Sequence, residues 1–380
     1  MFMDAADVIV IGGGMVGGAI AYGLTRAGAD TLMLDEGDDS LRTARGNFGL
    51  VWVQTKGRGL QRYQDWSRES SQIWMEFSDD LQESTGVNTG YEKPGGLTLC
   101  TSEEEVRASE EIITAMKAQA GNGQYDAWMI DRQEIEALVP GVRFGPDVLA
   151  ASFCPHDGHA NPLKLLRAMH AGLQKAGGRY QPNASVVDIV RDGEGYAVVT
   201  AEGARYGAAK IVIACGHGIP DLAAKVGLHC PTRPQRGQIL VTERLQPMLP
   251  LPMGSIRQTD EGSIMLGVSH EEVGFDDRNT GDVSGAIAAR AARILPDLAN
   301  VNIVRSWGAL RIMPPDGCPI YDESETWPGI FMTTNHSGVT LASVHAKHIP
   351  NWVLRDETPV GFQDFSVKRF EGTPHAAPCG

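Results

Sequence analysis

The sequence predicts an α/β protein in which a dinucleotide-binding βαβ domain is interleaved with a second sheet-bearing domain. Three observations lead there. The chain opens with a strand, a glycine turn and a helix, all within about 30 residues. Strand and helix signals of the same kind return near 158–219 and 329–354. The stretches between them, about 50–157 and 231–315, carry other strands and long amphipathic segments, so one domain is discontinuous in sequence. A length of 380 residues suits two domains.

The first strand is the Val/Ile-rich run Asp7–Ile11. It ends in Gly12-Gly13-Gly14, a helix follows from Met15 to Ala27, and a second strand, Thr31–Leu34, ends at Asp35. The spacing Gly12-x-Gly14-x-x-Gly17 in this setting reads as a pyrophosphate-binding turn. Gly12 permits the tight turn, Gly14 lets backbone approach the phosphates, and Gly17 lets the helix pack on the sheet. Free N–H groups at the helix start favour the negative charge. Asp35 stands where a carboxylate accepts from ribose hydroxyls. The motif alone does not separate FAD from NAD.

Further along, Gly59–Gly86 reads as a long amphipathic helix and Gly95–Leu99 as a strand. Ser102 and Asp131 are helix caps, and Asn161-Pro162 is a cap followed by proline at the first helical position. Val186–Val190, Tyr196–Ala201 and Lys210–Ala214 read as strands, Pro231–Ser269 as proline-rich strand, Val283–Leu295 as helix, and Gly329–Thr334 as a strand leading to a helix near Val339. The tail after Pro359 carries little structural signal.

Hydrophobic residues make up 42% and the net charge is −14, which fits a folded globular chain and disfavours bulk binding to nucleic acid or anionic membranes. The uncharged stretch Val8–Thr25 has the length of a membrane span, but its glycines and acidic flank read as buried strand and helix. Six cysteines without CxxC spacing do not make a disulfide scaffold and point to a reducing cytoplasm. The first five read as buried thiols and Cys379 as exposed.

Arg311 is a lone cation in the apolar, proline-bounded segment Trp307–Pro319. Its fork suits a carboxylate, either of a ligand or of a structural partner such as Asp316. His336-Ser337-Gly338-Val339-Thr340 sits at a helix start, where glycine allows close approach.

Taken together, these motifs resemble the D-amino-acid-oxidase-like family of FAD-dependent amine oxidoreductases. The likeness is carried by Val8–Gly14 with Leu34–Gly37, Gly158-His159-x-Asn161-Pro162, Ala214-Cys215-Gly216, Gly308-x-x-Arg311 through Pro319, and Gly338-Val339-Thr340, and it spans residues 7 to 355. Within the family, Arg45–Gln54 looks most like the catalytic subunits of opine oxidases, hydrogen cyanide synthase and D-hydroxyproline dehydrogenase.

The resemblance implies a Rossmann-type FAD-binding domain (1–49, 158–230 and 316–360), an α+β substrate domain on an antiparallel sheet (50–157 and 231–315), and a tail (361–380). It implies non-covalent FAD held by Gly12, Gly14, Met15, Val16, Gly17, Asp35, Glu36, Thr43, Arg45, Gly46, Asn47, Val187, Cys215, Gly216, Gly308, Arg311, Gly338, Val339 and Thr340. Arg311 matches the arginine that pairs with the substrate carboxylate. His336 is placed at the catalytic centre without a general-base role, and Trp52, Gln54 and Trp307 are wall residues. The implied reaction is oxidation of an α-amino or α-imino acid by hydride transfer to flavin N5. The enzyme is then cytoplasmic, or peripheral to the inner membrane through a partner, and is one subunit of a heteromeric dehydrogenase with a quinone or oxygen as acceptor. The alternatives are a stand-alone, oxygen-using amino acid oxidase and an electron-relay subunit without a substrate.

Overall fold

The computed structural model describes residues 4–37, 43–121 and 125–371. Its largest sheet has eight strands. Five of them run parallel, in the order Ile330–Thr334, Arg205–Ile213, Asp4–Ile11, Thr31–Leu34 and Arg179–Gln181. Ile320–Glu323 caps one edge antiparallel, and Gly195–Thr200 with Val186–Asp192 form an antiparallel branch on Arg205–Ile213.

The first strand reads as an unbroken apolar run because both its faces are covered. Val8 and Val10 point into a core with Ile20, Leu24, Phe331 and Val344, while Ile9 and Ile11 point into the opposite core with Ile213, Ile330 and Met332. The helices Met15–Arg26 and Ala342–Arg355 cover the first face, and the branch strands with helix Ile219–Lys225 cover the second.

A second, antiparallel sheet is built on the long strands Arg233–Arg244 and Ile303–Met313, with Ser263–Leu266 and Ile256–Gln258 beyond the first of them. Gly96–Cys100, Ala150–Cys154 and Trp128–Asp131 continue it through a bridge between Leu97 and Met253. Helix Gly281–Ile294 closes the core of this sheet through Ile287, Ala291 and Ile294.

The capping signals act as the residue types dictate. Asp131 forms a full capping box with Glu134, Ser102 accepts from the Glu105 N–H, and Asn161 accepts from the Leu163 and Lys164 N–H groups. The long helix spans Gln61–Thr85 and ends at Gly86 in the left-handed region. The last helix begins at Ala342, later than expected, because Ser337 to Leu341 is a turn. Trp128–Asp131, Ala150–Cys154 and Ile303–Met313 carry no strong local strand signal; pairing across the antiparallel sheet makes them strands.

Residues 360–371 are more ordered than their composition suggests. Phe362 and Phe365 are buried in an aromatic cluster with Trp66, Tyr321 and Trp352, and Arg369 pairs with Asp316 at 2.8 Å. Cys100, Cys154 and Cys230 are buried and free, and Cys215 is half-buried and free. Cys318 is buried but disulfide-bonded, so it is not the free thiol expected of it. Cys379 lies outside the described residues. No helix among the described residues is long and apolar enough to cross a membrane.

Phe365→Ala is expected to destabilise the fold by about 3–5 kcal/mol, read from denaturant unfolding, because it opens a cavity in that cluster. A second expectation concerns His345, which is fully buried beside the Tyr321 hydroxyl at 2.8 Å and whose pKa is pushed down to about 3 by burial. The folded state therefore keeps the ring neutral. Its contribution to stability is complete above the unfolded value of about 6.5 and is lost as pH falls towards 3, at about 1.4 kcal/mol per pH unit. His345→Gln flattens that slope in unfolding curves recorded between pH 6.5 and 4.

Candidate active site

A cavity of about 750 Å³ begins at the first glycine turn and runs to the far end of strand Ile330–Thr334. Gly12 has φ +109°, and a Cβ there would lie 2.5 Å from the Ala214 carbonyl oxygen. A Cβ on Gly17 would lie 1.8 Å from the Gly12 oxygen, so Gly17 serves helix–strand packing and does not line the cavity. Gly14, the N-cap of helix Met15–Arg26, is different: the nearest atom to a Cβ there is Ala44 Cβ at 3.8 Å. Its open side faces the cavity.

Asp35 holds this turn in place. Its carboxylate accepts the Gly13 N–H at 2.6 Å and the Gly37 N–H at 3.1 Å. Glu36 lines the cavity beside it, as do Met15, Val16, Thr43, Arg45, Asn47, Cys215, Gly216, His336 and Gly338. Thr43 donates to the Leu310 carbonyl at 2.5 Å, and Asn47 accepts the Gly49 N–H at 2.7 Å. The Cys215 thiol is pushed up to about 12 by burial and is therefore protonated.

Several expected residues stand back from the cavity. Gly46 lends its carbonyl to Trp307 Nε1 at 3.2 Å. Val187 is 46% exposed, and its neighbours Ala184, Ser185 and Val186 form the wall there instead. Gly308 packs against Asp277, whose carbonyl oxygen lies 2.5 Å from where a Cβ would be. Val339 and Thr340 are buried: the Val339 carbonyl accepts Trp74 Nε1 at 3.1 Å, the Thr340 carbonyl accepts Ser70 Oγ at 2.5 Å, and Thr340 Oγ1 accepts the Trp52 N–H at 3.0 Å.

Gln54 is 1% exposed and its amide is fully used. It donates to Gly96 and Asp157 and accepts from Thr98 and Ser152. This pins the loop and leaves the amide no free hydrogen bond for a ligand. Trp52 packs its ring edge on Gly96, where a Cβ would sit 2.6 Å away.

Arg311 faces Gln235 across the strand pair and lays its guanidinium over Gly237. Nη1 donates to the Ser269 carbonyl at 2.9 Å and the Arg236 carbonyl at 3.3 Å. It meets no carboxylate in ion-pair contact among the described residues, because Asp316, the structural partner considered for it, is held by Arg369. Burial lowers its pKa to about 10, so it stays charged. His336 is pushed well below its ordinary value by burial and then by its neighbours Lys56, Arg311 and His270. Its ring is neutral.

Sequence reading missed Lys56, His270, Asp157 and Asn335. Lys56 has a signal of its own, as the first charge after the uncharged run Gly46–Thr55. The other three carry none, since their surroundings come from distant segments. Burial and then Arg311 lower the Lys56 pKa to about 8, and burial raises that of Asp157 to about 7.

The far end of the cavity also holds buried polar atoms with no hydrogen-bond partner among the described residues: Thr333 Oγ1, Thr334 Oγ1 and both amide atoms of Asn335. Such atoms ask for a polar ligand. An open glycine at a helix N-terminus, acids at the end of the second strand and a long cavity together fit a dinucleotide. Fold and site thus define a dinucleotide-dependent oxidoreductase. The family model for FAD dependent oxidoreductases matches residues 7–352, and the chain belongs to that family; its cofactor is FAD.

The chain is 38% identical to one of the opine oxidase subunits of Agrobacterium tumefaciens strain Ach5, over 97% of this chain and 98% of that one. It is 23% identical to HcnC, a subunit of hydrogen cyanide synthase from Pseudomonas aeruginosa, over 97% of each. The crystal structure of glycine oxidase from Geobacillus kaustophilus matches with a TM-score of 0.87 at 24% identity, covering 97% of this chain and all of that one.

Two glycine substitutions separate packing from ligand approach. Gly17→Ala forces backbone apart and is expected to lower both stability and retained flavin. Gly14→Ala costs the apoprotein no more than about 1 kcal/mol, as at other N-caps. It is expected to weaken flavin retention by about tenfold or more, read from the visible absorbance of the purified protein.

Proposed function

We propose that the protein oxidises an α-amino or α-imino acid at the carbon bearing nitrogen, within a range that covers glycine, D-amino acid, D-hydroxyproline and opine types. The carrying observation is Arg311: a half-buried guanidinium held by two backbone carbonyls, with no carboxylate among the described residues in ion-pair contact with it. A bidentate substrate carboxylate completes that arrangement.

FAD, when bound, supplies the acceptor for the hydride. The Gly12–Gly14 turn and the start of helix Met15–Arg26 hold its phosphates, and Asp35 with Glu36 its ribose. Ala184–Val186 lie at the adenine end, with Thr43–Asn47, Cys215, Gly216 and Gly338–Thr340 towards the flavin. The protonated Cys215 thiol supports a non-covalent hold. In the same reading, 1–49, 158–230 and 316–360 form the cofactor domain, and 50–157 with 231–315 form most of the substrate domain.

Arg311 fixes the carboxylate and thereby the direction of the C–H bond, a positioning effect. The neutral, deeply desolvated His336 is a poor proton acceptor, so the substrate arrives with its amine neutral and no side chain serves as base. His336 shapes the wall at the reacting end. The relatives named as subunits support a place in a heteromeric complex; the glycine oxidase likeness supports the second reading, a stand-alone oxidase. The sparse and mostly free cysteines support a cytoplasmic location, with any membrane tie made through a partner.

Anaerobic addition of amino, imino and opine-type acids is expected to bleach the flavin bands for at least one class, and re-oxidation by air against a quinone separates oxidase from dehydrogenase. Arg311→Met is expected to lower kcat/KM by about 100-fold or more, since half of a buried charge pair costs about 3–5 kcal/mol. Unaltered turnover in that variant overturns the assignment and favours electron relay.

A further inference from the structure

His336 has one ring nitrogen engaged and one open. From Ile330 to Thr340 every residue is buried except His336, which is half-buried and lines the cavity. Its Nδ1 lies 3.4 Å from Ser337 Oγ, and Ser337 Oγ in turn accepts the Tyr63 hydroxyl at 2.8 Å. Tyr63 and Ser337 are both buried, and Tyr63 comes from the long helix Gln61–Thr85, 274 positions away in sequence. Neither Ser337 Oγ nor the His336 ring has another hydrogen bond among the described residues.

The hydrogens along this series run in one direction. A hydroxyl has a single hydrogen. That of Tyr63 points at Ser337, so Ser337 keeps its own hydrogen to give. The acceptor within its reach is His336 Nδ1. A nitrogen that accepts carries no proton, and a neutral imidazole has one N–H, so that N–H is on Nε2. The ring is neutral, because burial and then Lys56, Arg311 and His270 disfavour its charged form, and no carboxylate bonds it among the described residues. Nε2 has no partner among the described residues, and the space beside the ring is the cavity that fits the cofactor. Arg311 does not line that cavity, so the open nitrogen is on the cofactor's side of the site.

We infer that Tyr63 and Ser337 fix His336 in its Nε2–H form, and that this N–H donates to the ring system of the bound flavin. His336 then tunes the cofactor, and Tyr63 and Ser337 are positioning residues that act through it. A donor at that place favours the reduced ring, where negative charge gathers. This rests on the orientation proposed above, with the flavin at the His336 end and the adenine at the Ala184 end.

Two measurements on the full chain test it. The first is long-range proton–nitrogen NMR on histidine-labelled protein at neutral pH, with the His336 signals assigned by their loss in His336→Gln. The expected spectrum of the wild type shows Nε2 protonated and Nδ1 not, and Ser337→Ala is expected to bring in the other tautomer. Loading with FAD should move the Nε2 signal. ADP, which carries adenine and pyrophosphate without a flavin, should leave it in place. The second is the midpoint potential of the FAD-loaded protein. His336→Leu is expected to weaken the preference for reduced flavin by about tenfold, a fall of about 30 mV for two electrons. His336→Gln keeps an N–H donor and should recover most of that loss, while Tyr63→Phe and Ser337→Ala should each lose part.

A wild-type ring protonated at Nδ1, alone or together with Nε2, overturns the inference. An unshifted potential in His336→Leu does so too, as does a shift that His336→Gln leaves unrecovered, which makes the ring a packing element. Should His336→Leu retain no flavin, the potential of Ser337→Ala decides, since Ser337 does not line the cavity. An ADP shift equal to that of FAD puts the adenine beside the ring; the orientation then fails, and the flavin donor with it, while the Nε2–H form is upheld. A shift specific to FAD without a change of potential keeps the orientation and overturns the tuning role.

Discussion

The contact between the end of the first strand and the start of the first helix sets the geometry of everything around it. Gly17 rides directly over the Gly12 carbonyl, and Gly12 lies against the Ala214 backbone, at separations that admit no Cβ. That closeness lets three neighbouring parallel strands end at one level, with the first helix aimed by its N-terminus into the cavity. The Asp35 carboxylate ties the turn to the second strand through the Gly13 N–H. Loosening this corner would move the cofactor wall and the strand beneath it together.

A second constraint joins the two sheets. Helix Gln61–Thr85 leads in sequence to Gly96–Cys100 of the antiparallel sheet, yet Tyr63 and Trp66 pack in the core of the parallel sheet. From there Tyr63 bonds Ser337 at 2.8 Å, and Ser70 and Trp74 hold the Thr340 and Val339 carbonyls. The turn from His336 to Thr340 is therefore fixed from outside the cavity. Its backbone can face a ligand without collapsing into the space. The aromatic cluster of Phe362 and Phe365 backs the same helix and extends this support towards the chain end.

Electrostatically the molecule is divided. The whole chain is acidic, but Lys56, Arg311 and His270 all act electrostatically on a neutral His336. The local acids are withdrawn into bonds with other partners: Asp316 with Arg369, Glu271 with Arg236, and Asp157 with the Val53–Gln54 backbone. Lys56 and Arg311 are thereby left without a carboxylate in ion-pair contact among the described residues.

The parallel sheet, the glycine turn, most helix starts and the isolation of Arg311 among apolar residues were legible in the residues alone. They rest on local rules: strand and helix periodicity, capping chemistry, positive φ at Gly12, and the rarity of a lone arginine among apolar residues. Which polar side chains are free was settled only when the chain assembled. Gln54 is a candidate wall residue in the sequence, but its amide is saturated by Asp157, Ser152, Thr98 and Gly96, from two stretches distant in sequence. Val187 was expected at the adenine end, yet the cavity wall runs through its neighbours. Lys56 gives the opposite case, an ordinary lysine in a loop that proves buried once the chain has assembled. Hydrogen-bond capacity and burial belong to the assembled surroundings of a side chain, and those come from residues up to hundreds of positions away.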